Sequence, residues 1–184
     1  MKNKIYFITG NKDKAEYLSK FLGIEVGHKK VDLDEIQSMD LKEIVQKKVR
    51  EAYDIVQAPV IVEDVSLEFK ALGGLPGPFI KFFVDNMKLQ DVCDLLGEDK
   101  SRQATAKCVF GYFDGKNEKY FEGKFKGEIS REPKGEGGYG WDGIFIPDGY
   151  GGRTRAELSP KEDEENYSRM KPFKELRSFF RGVF

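Results

Sequence analysis

Residues 59–83, PVIVEDVSLEFKALGGLPGPFIKFF, decide the fold. The stretch starts as a short apolar run, Pro59 to Val62, with Gln57-Ala58 before it and charges after it. A run this short and apolar reads as a buried parallel strand. It stops on two adjacent carboxylates, Glu63 and Asp64. In open α/β sheets the ligand crevice lies beyond the carboxyl ends of the strands, so acids placed there face a ligand rather than the core. A strand end with solvated acids is the plain alternative, and these residues alone leave the two level. The cluster Gly73-Gly74-Leu75-Pro76-Gly77-Pro78 then makes a fixed turn where backbone can approach a ligand closely.

Toward the N-terminus, Ile5 to Ile8 reads as another short buried strand, running into Thr9-Gly10-Asn11. A helix follows, marked by Ala15, Leu18, Phe21 and Leu22 and closed by Gly23. Thr9-Gly10-Asn11 therefore sits at a strand-to-helix turn, where free N–H groups and the helix dipole suit a phosphate. Lys14 puts a positive charge in the first turn, where the dipole disfavours one. That placement suits an anionic ligand; an ordinary exposed lysine explains it too. The stretch is not a Walker loop. A second strand is expected within Ile24 to Val31, then an acidic loop, Asp32 to Gln37. The next helix spans Leu41 to about Gln57, on a stripe of Leu41, Ile44, Val45, Ala52 and Val56 that Lys48 interrupts.

Toward the C-terminus, helices are expected at Phe79 to Met87 and Asp91 to Leu96. From Ser101 the period becomes two, with Ala104, Ala106, Cys108, Phe110 and Tyr112 on one face. Asp114-Gly115 signals a hairpin, and Tyr120 to Ile129 returns as a long strand. Residues 135–143, GEGGYGWDG, form a glycine loop with two aromatics. Tyr139 and Trp141 could stack on a planar base, or Trp141 could anchor the loop to the core. A last strand is expected at Ile144 to Ile146. Ser159-Pro160 starts a helix, and Pro172 to Phe184 forms an amphipathic final one. A mixed sheet in a single α/β domain follows.

Composition narrows the function. The net charge of -1, with Lys+Arg 31 against Asp+Glu 32, gives no basic field for a nucleic acid or an acidic membrane. No segment has the apolar length of a membrane span or a signal peptide. Two cysteines make neither a metal set nor a disulfide framework, and a soluble, cytoplasmic protein is expected. His28 is the single histidine, which excludes a His-pair mechanism or a His-rich metal site.

Three motifs together resemble the inosine triphosphate pyrophosphatases, over essentially the whole chain. The first is TGN-x-x-K, here Thr9 to Lys14. The second is V-E-D-[TS]-x-L followed by A-L-x-G-x-P-G, here Val62 to Leu67 and Ala71 to Gly77. The third is G-[WY]-D-P-I-F followed by T-x-A-E-M, here Gly140 to Phe145 and Thr154 to Leu158. The resemblance implies an elongated mixed sheet flanked by helices, with two lobes around a central cleft, usually in a homodimer. It implies Mg2+-dependent hydrolysis, with Mn2+ as a stand-in, of ITP, dITP and XTP to the monophosphate and pyrophosphate. By position it makes Asp64 the general base and a metal ligand, and Glu35 the second metal acid. It assigns Thr9, Gly10, Asn11, Lys14, Lys47, Lys81 and Arg169 to the nucleotide, and Tyr139, Gly140, Trp141 and Asp142 to the loop around the base. Glu63 is the alternative carboxylate, on the opposite side of the strand if the pleat continues.

The chain departs from the family pattern in places. Counted without gaps, Asp163 stands where the family has a lysine and Glu164 where it has an asparagine. Tyr167, Ser168 and Arg169 stand at its Ser-His-Arg. Val65 replaces a hydroxyl residue and Gly143 a proline. Hydrolysis is thus better supported than the choice of base. A nucleotide-binding protein of the same fold, with altered base specificity or reduced catalysis, is the alternative.

Overall fold

The computed structural model describes residues 4–98 and 100–183. A strand β1 (Ile5–Ile8), a helix α1 (Lys12–Leu22) and a strand β2 (Val26–Lys29) open the chain. Helix α2 (Leu41–Val56) and strand β3 (Val60–Phe69) follow. Both β1–β2 and β1–β3 are parallel, with Ile5 against Val26 and Phe7 against Ile61. Parallel neighbours need crossovers, and α1 and α2 supply them. Asn11 caps α1 with its side chain, and Gly23 ends it in the left-handed conformation expected of a glycine there.

Beyond β3 come β4 (Pro76–Gly77), α3 (Ile80–Asn86), α4 (Leu89–Asp94), β5 (Gln103–Phe113) and β6 (Glu118–Ile129). The chain ends with β7 (Phe145–Pro147), α5 (Pro160–Met170) and α6 (Phe173–Val183). Strand order is β2-β1-β3-β5-β6-β7, with β4 against β3. The β3–β4 and β6–β7 pairs are antiparallel, so this seven-stranded sheet is mixed, as the change of period at Ser101 foretold. Ser159 opens α5 with a capping box to Glu162 and Pro160 in the first turn, as its sequence requires.

One expectation fails. The central strand does not stop at Glu63-Asp64 but runs on to Phe69. The two acids therefore lie in mid-strand. Leu67 and Phe69 explain the continuation, because both are fully buried in apolar packing that two carboxylates do not interrupt.

The chain divides into two compact units. One is built on the segments up to Asp64, from Cys108 to Glu122 and from Pro172 onward. The other comprises Val65–Lys107 and Gly123–Lys171. In the first, α2 packs Val45, Val49 and Ala52 on Val60, Val62 and Val109. A Cβ on Gly111 would lie 2.6 Å from Val45 Cγ1, so this close approach requires glycine. Elsewhere in that unit Phe7, Phe110 and Phe173 meet as aromatic pairs, and Tyr112 meets Phe180 edge-on. The second unit buries Leu67, Phe69, Ile80, Val92, Phe125, Ile144, Phe145 and Met170 around its own core. No helix among the described residues is long and apolar enough to cross a membrane.

Candidate active site

In the first unit, charges gather on β3 and α2. Lys48 Nζ donates to Glu35 Oε1 at 2.6 Å and to Asp64 Oδ2 at 2.7 Å. Helix geometry puts it there. Lys48 lies three and four residues after Val45 and Ile44, so it shares their inward face. Its stem is buried and its ammonium emerges at the two acids. Burial pulls the Lys48 pKa down, but Asp64 and then Glu35 outweigh it and hold the pKa above 10.5. Glu35 arrives from the segment between β2 and α2, where Glu51 of α2 accepts the Asp34 N–H at 3.2 Å.

Glu63, one residue before Asp64, has different partners. Lys14 Nζ lies 3.4 Å from Glu63 Oε2, and the Cys108 thiol donates to Glu63 Oε1 at 3.3 Å. The pleat thus separates the acids, as alternation requires. Glu63 is 4% exposed and Asp64 23%, so Asp64 is the acid that a ligand can reach. Lys14, out of place by the dipole rule, has this buried carboxylate beside it.

The Thr9–Asn11 turn is more self-satisfied than its sequence suggested. Asn11 Oδ1 accepts from the Asp13 and Lys14 amides at 2.9 and 3.4 Å, and Thr9 Oγ1 accepts from the Asn11 amide at 3.2 Å. His28 Nε2 donates to the Thr9 carbonyl at 2.7 Å and fixes the turn from β2. Gly10 has no positive φ, and a Cβ built there meets nothing within 4 Å. Among the described residues, neither conformation nor packing demands glycine at position 10.

In the second unit, the 135–143 loop is closed from within. Asp142 Oδ2 accepts from the Tyr139 amide at 3.1 Å, and the Asp142 amide donates to the Tyr139 carbonyl at 3.2 Å. Arg155 NH1 donates to Asp142 Oδ1 at 2.9 Å, with both side chains 8% exposed. Burial pushes the Asp142 carboxyl pKa above its ordinary value, and Arg155 opposes the rise. Trp141 packs against the core and meets Phe145 edge-on at 5.6 Å. Tyr139 is 70% exposed. Trp141 is therefore the anchor, and Tyr139 the ring a ligand can meet.

Two lysines and an arginine that the resemblance assigns to the nucleotide are exposed. Lys47 is exposed, a 100° step around α2 from Lys48. Lys48, marked in the sequence only as a flaw in an apolar stripe, is the lysine at the acids. Lys81 is exposed on α3. Arg169 is exposed on α5, over the Phe125 ring at 5.0 Å and 3.7 Å from Glu165. Asp163 bonds Arg155, a pairing that the sequence reading missed.

A mixed seven-stranded sheet whose central strand carries an acid–lysine cluster defines the structural class. The chain belongs to the Ham1 family, whose model matches residues 5–179. The resemblance read from the three motifs is borne out. The chain is 40% identical to inosine triphosphate pyrophosphatase 2 of Trypanosoma cruzi (strain CL Brener), covering 97% of this chain and 92% of that protein. A solved HAM1 protein from Coxiella burnetii superposes with a TM-score of 0.86 at 26% identity, covering 98% of this chain and 99% of its own. A nucleoside-triphosphatase / dITP/XTP pyrophosphatase from Mycobacterium abscessus gives a TM-score of 0.77 at 25% identity, covering 91% and 95%.

Proposed function

We propose that this protein hydrolyses ITP, dITP and XTP to the monophosphate and pyrophosphate in the cytoplasm, with Mg2+ or, in its place, Mn2+. One observation carries the reading. Two carboxylates of different elements, Glu35 and Asp64, converge on a single positive point, the Lys48 ammonium. The donors are all oxygen, which fits a hard cation. Among the described residues no third His, Cys, Asp or Glu joins them, so phosphate oxygens and water would complete the shell. When bound, such a cation neutralises charge on the phosphates.

The remaining steps fall to the chain. Asp64 orients a water toward the α-phosphorus and takes its proton. The new P–O bond forms as the bond to the β-phosphate oxygen breaks, and pyrophosphate leaves with that electron pair. Lys48 and Lys14 offset the charge that builds up. The glycine at position 10, which the chain itself does not demand, leaves room for a phosphate against the turn. Tyr139 to Asp142 form the base-contacting loop, and the active protein is a homodimer.

A panel of ITP, XTP, GTP and ATP with Mg2+, resolved into products, tests this reading. Monophosphate and pyrophosphate from ITP and XTP are expected. Absence of both products for every nucleotide sinks the proposal, and tight binding without turnover favours a nucleotide-binding role. Asp64→Asn should lower turnover about a hundredfold or more and remain folded. Full activity in that variant removes Asp64 as the base.

A further inference from the structure

Position 163 holds an acid, and the structure shows what that acid does. Asp163 Oδ1 accepts from Arg155 Nε at 3.2 Å and from NH2 at 2.6 Å, while NH1 of the same guanidinium reaches Asp142. One buried arginine thus spans two carboxylates. Burial pulls the Arg155 pKa down, but Asp142 and Asp163 together outweigh it and hold the guanidinium above its ordinary value. Asp163 is half-exposed and Asp142 buried, so the guanidinium is gripped from outside and presented to the loop inside.

The loop needs such a hold. Five of its nine residues, Gly135, Gly137, Gly138, Gly140 and Gly143, are glycine, and glycine loses more backbone freedom on ordering than any other residue. The turn that carries Arg155 clasps the loop at several points. Thr154 Oγ1 donates to the Lys134 carbonyl at 2.9 Å, the Gly137 amide to the Ala156 carbonyl at 3.2 Å, and the Ala156 amide to the Asp142 carbonyl at 3.1 Å. A Cβ on Gly138 would lie 2.6 Å from Asp142 Oδ2, so the loop turns directly around this carboxylate. Both Asp142 oxygens have donors, Arg155 on one and the Tyr139 amide on the other. The carboxylate that shapes the loop is therefore oriented by Arg155.

We propose that Arg155, seated by Asp163, is a positioning residue for base selection: it fixes Asp142 and so sets which purine edge the 135–143 loop accepts. The inference rests on the reading of this loop as the base-contacting one. The edges in question differ in polarity. A 6-oxo purine offers an acceptor at position 6 and a donor at N1, whereas a 6-amino purine offers the reverse. A loop with fixed backbone donors and acceptors separates them strongly, and a loosened loop does not.

The test uses the whole protein and two readouts. Pyrophosphate release with ITP and with ATP gives the ratio of kcat/KM between the two edges. Trp141, the single tryptophan, reports the loop by fluorescence, through acrylamide quenching and through nucleotide titration. Arg155→Met is expected to lower the ITP-to-ATP ratio at least about tenfold, through KM for ITP more than through kcat, and to raise quenching of Trp141. Asp163→Asn leaves the Asp142 contact in place and should lower the ratio severalfold. Arg155→Lys should fall between them.

If Arg155→Met does not fold, the other two variants decide. Ratios within about twofold of wild type in every folded variant overturn the proposal. A lower unfolding midpoint with unchanged ratios does so too, since that is a structural role only. If wild type releases no pyrophosphate from any nucleotide, the hydrolytic reading fails separately. Arg155 is then judged from the ITP and ATP affinities in the Trp141 titration, and affinities unchanged in Asp163→Asn and Arg155→Lys overturn it.

Discussion

Replacing Lys48 by methionine keeps the buried stem and deletes the ammonium between Glu35 and Asp64. Lys48 is 11% exposed, Asp64 23% and Glu35 55%. The Glu35 contact is largely solvent-screened and is worth at most about 1 kcal/mol. The Asp64 contact is not. Removing one partner of a buried pair costs about 3–5 kcal/mol, and partial exposure of Asp64 reduces this to roughly 2–3 kcal/mol. At about 2–4 °C per kcal/mol for a chain of this size, the unfolding midpoint should fall by roughly 4–12 °C. A raised lysine pKa means that the contribution is fully present below 10.5 and fades as pH rises through the folded value, so the gap should persist from pH 5 to 9. Thermal unfolding with and without millimolar Mg2+ is the assay. Two carboxylates that no longer share the Lys48 ammonium should draw more stabilisation from Mg2+ in the variant than in wild type. Turnover of ITP should drop about a hundredfold. Lys47→Met, on the exposed side of the same helix, is the control and should lie within about 0.5 kcal/mol of wild type. A Lys48→Met midpoint within about 2 °C of wild type without metal, or an equal loss in Lys47→Met, refutes the reasoning.

Two further outcomes are expected. Ser66 Oγ is buried with no hydrogen-bond partner among the described residues, so Ser66→Ala should leave stability unchanged or raise it by up to about 1 kcal/mol in urea unfolding. A loss of more than about 1 kcal/mol would show that the hydroxyl is satisfied in solution. The Glu162 carboxyl is pushed down from 4.5 to about 2 by hydrogen bonds from Arg153 first and then from Ser159. A depressed carboxylate stabilises above its unfolded value and loses that contribution as pH falls toward 2. The midpoint gap between wild type and Glu162→Gln should therefore be open at pH 6, narrow below 4.5 and close near 2. A gap that does not change with pH contradicts the assignment.

The fold was legible where one period ruled each segment. The stripe from Leu41 to Val56 predicts α2 to within a residue, and the alternation from Ala104 to Tyr112 marks β5. Beyond Asp64 the reading failed because two charges look like an ending. In fact each acid leaves on its own side of the pleat, and the burial of Leu67 and Phe69 carries the strand on. In the candidate site, Glu35 and Asp64 were singled out from the sequence, whereas the lysine that contacts them, Lys48, was not. Lys47 and Lys48 are equivalent in composition and differ only in helical phase, and the phase signal was present as a lysine on an apolar stripe. The Arg155–Asp163 contact had no comparable signal. It joins a short turn to a helix eight residues later, and nothing in the pattern ties one to the other.

His28 gives the first unit an isolated reporter. The chain contains one imidazole, and its Nε2 hydrogen sits on the carbonyl of Thr9 at the head of the proposed phosphate turn. A proton spectrum of the unlabelled protein therefore carries a single pair of histidine ring resonances, already assigned by composition. Any event that shifts the Thr9 carbonyl, whether nucleotide arrival, pyrophosphate release or a substitution at Asn11, is expected to move those two lines. The turn can then be followed at natural abundance, independently of any product assay.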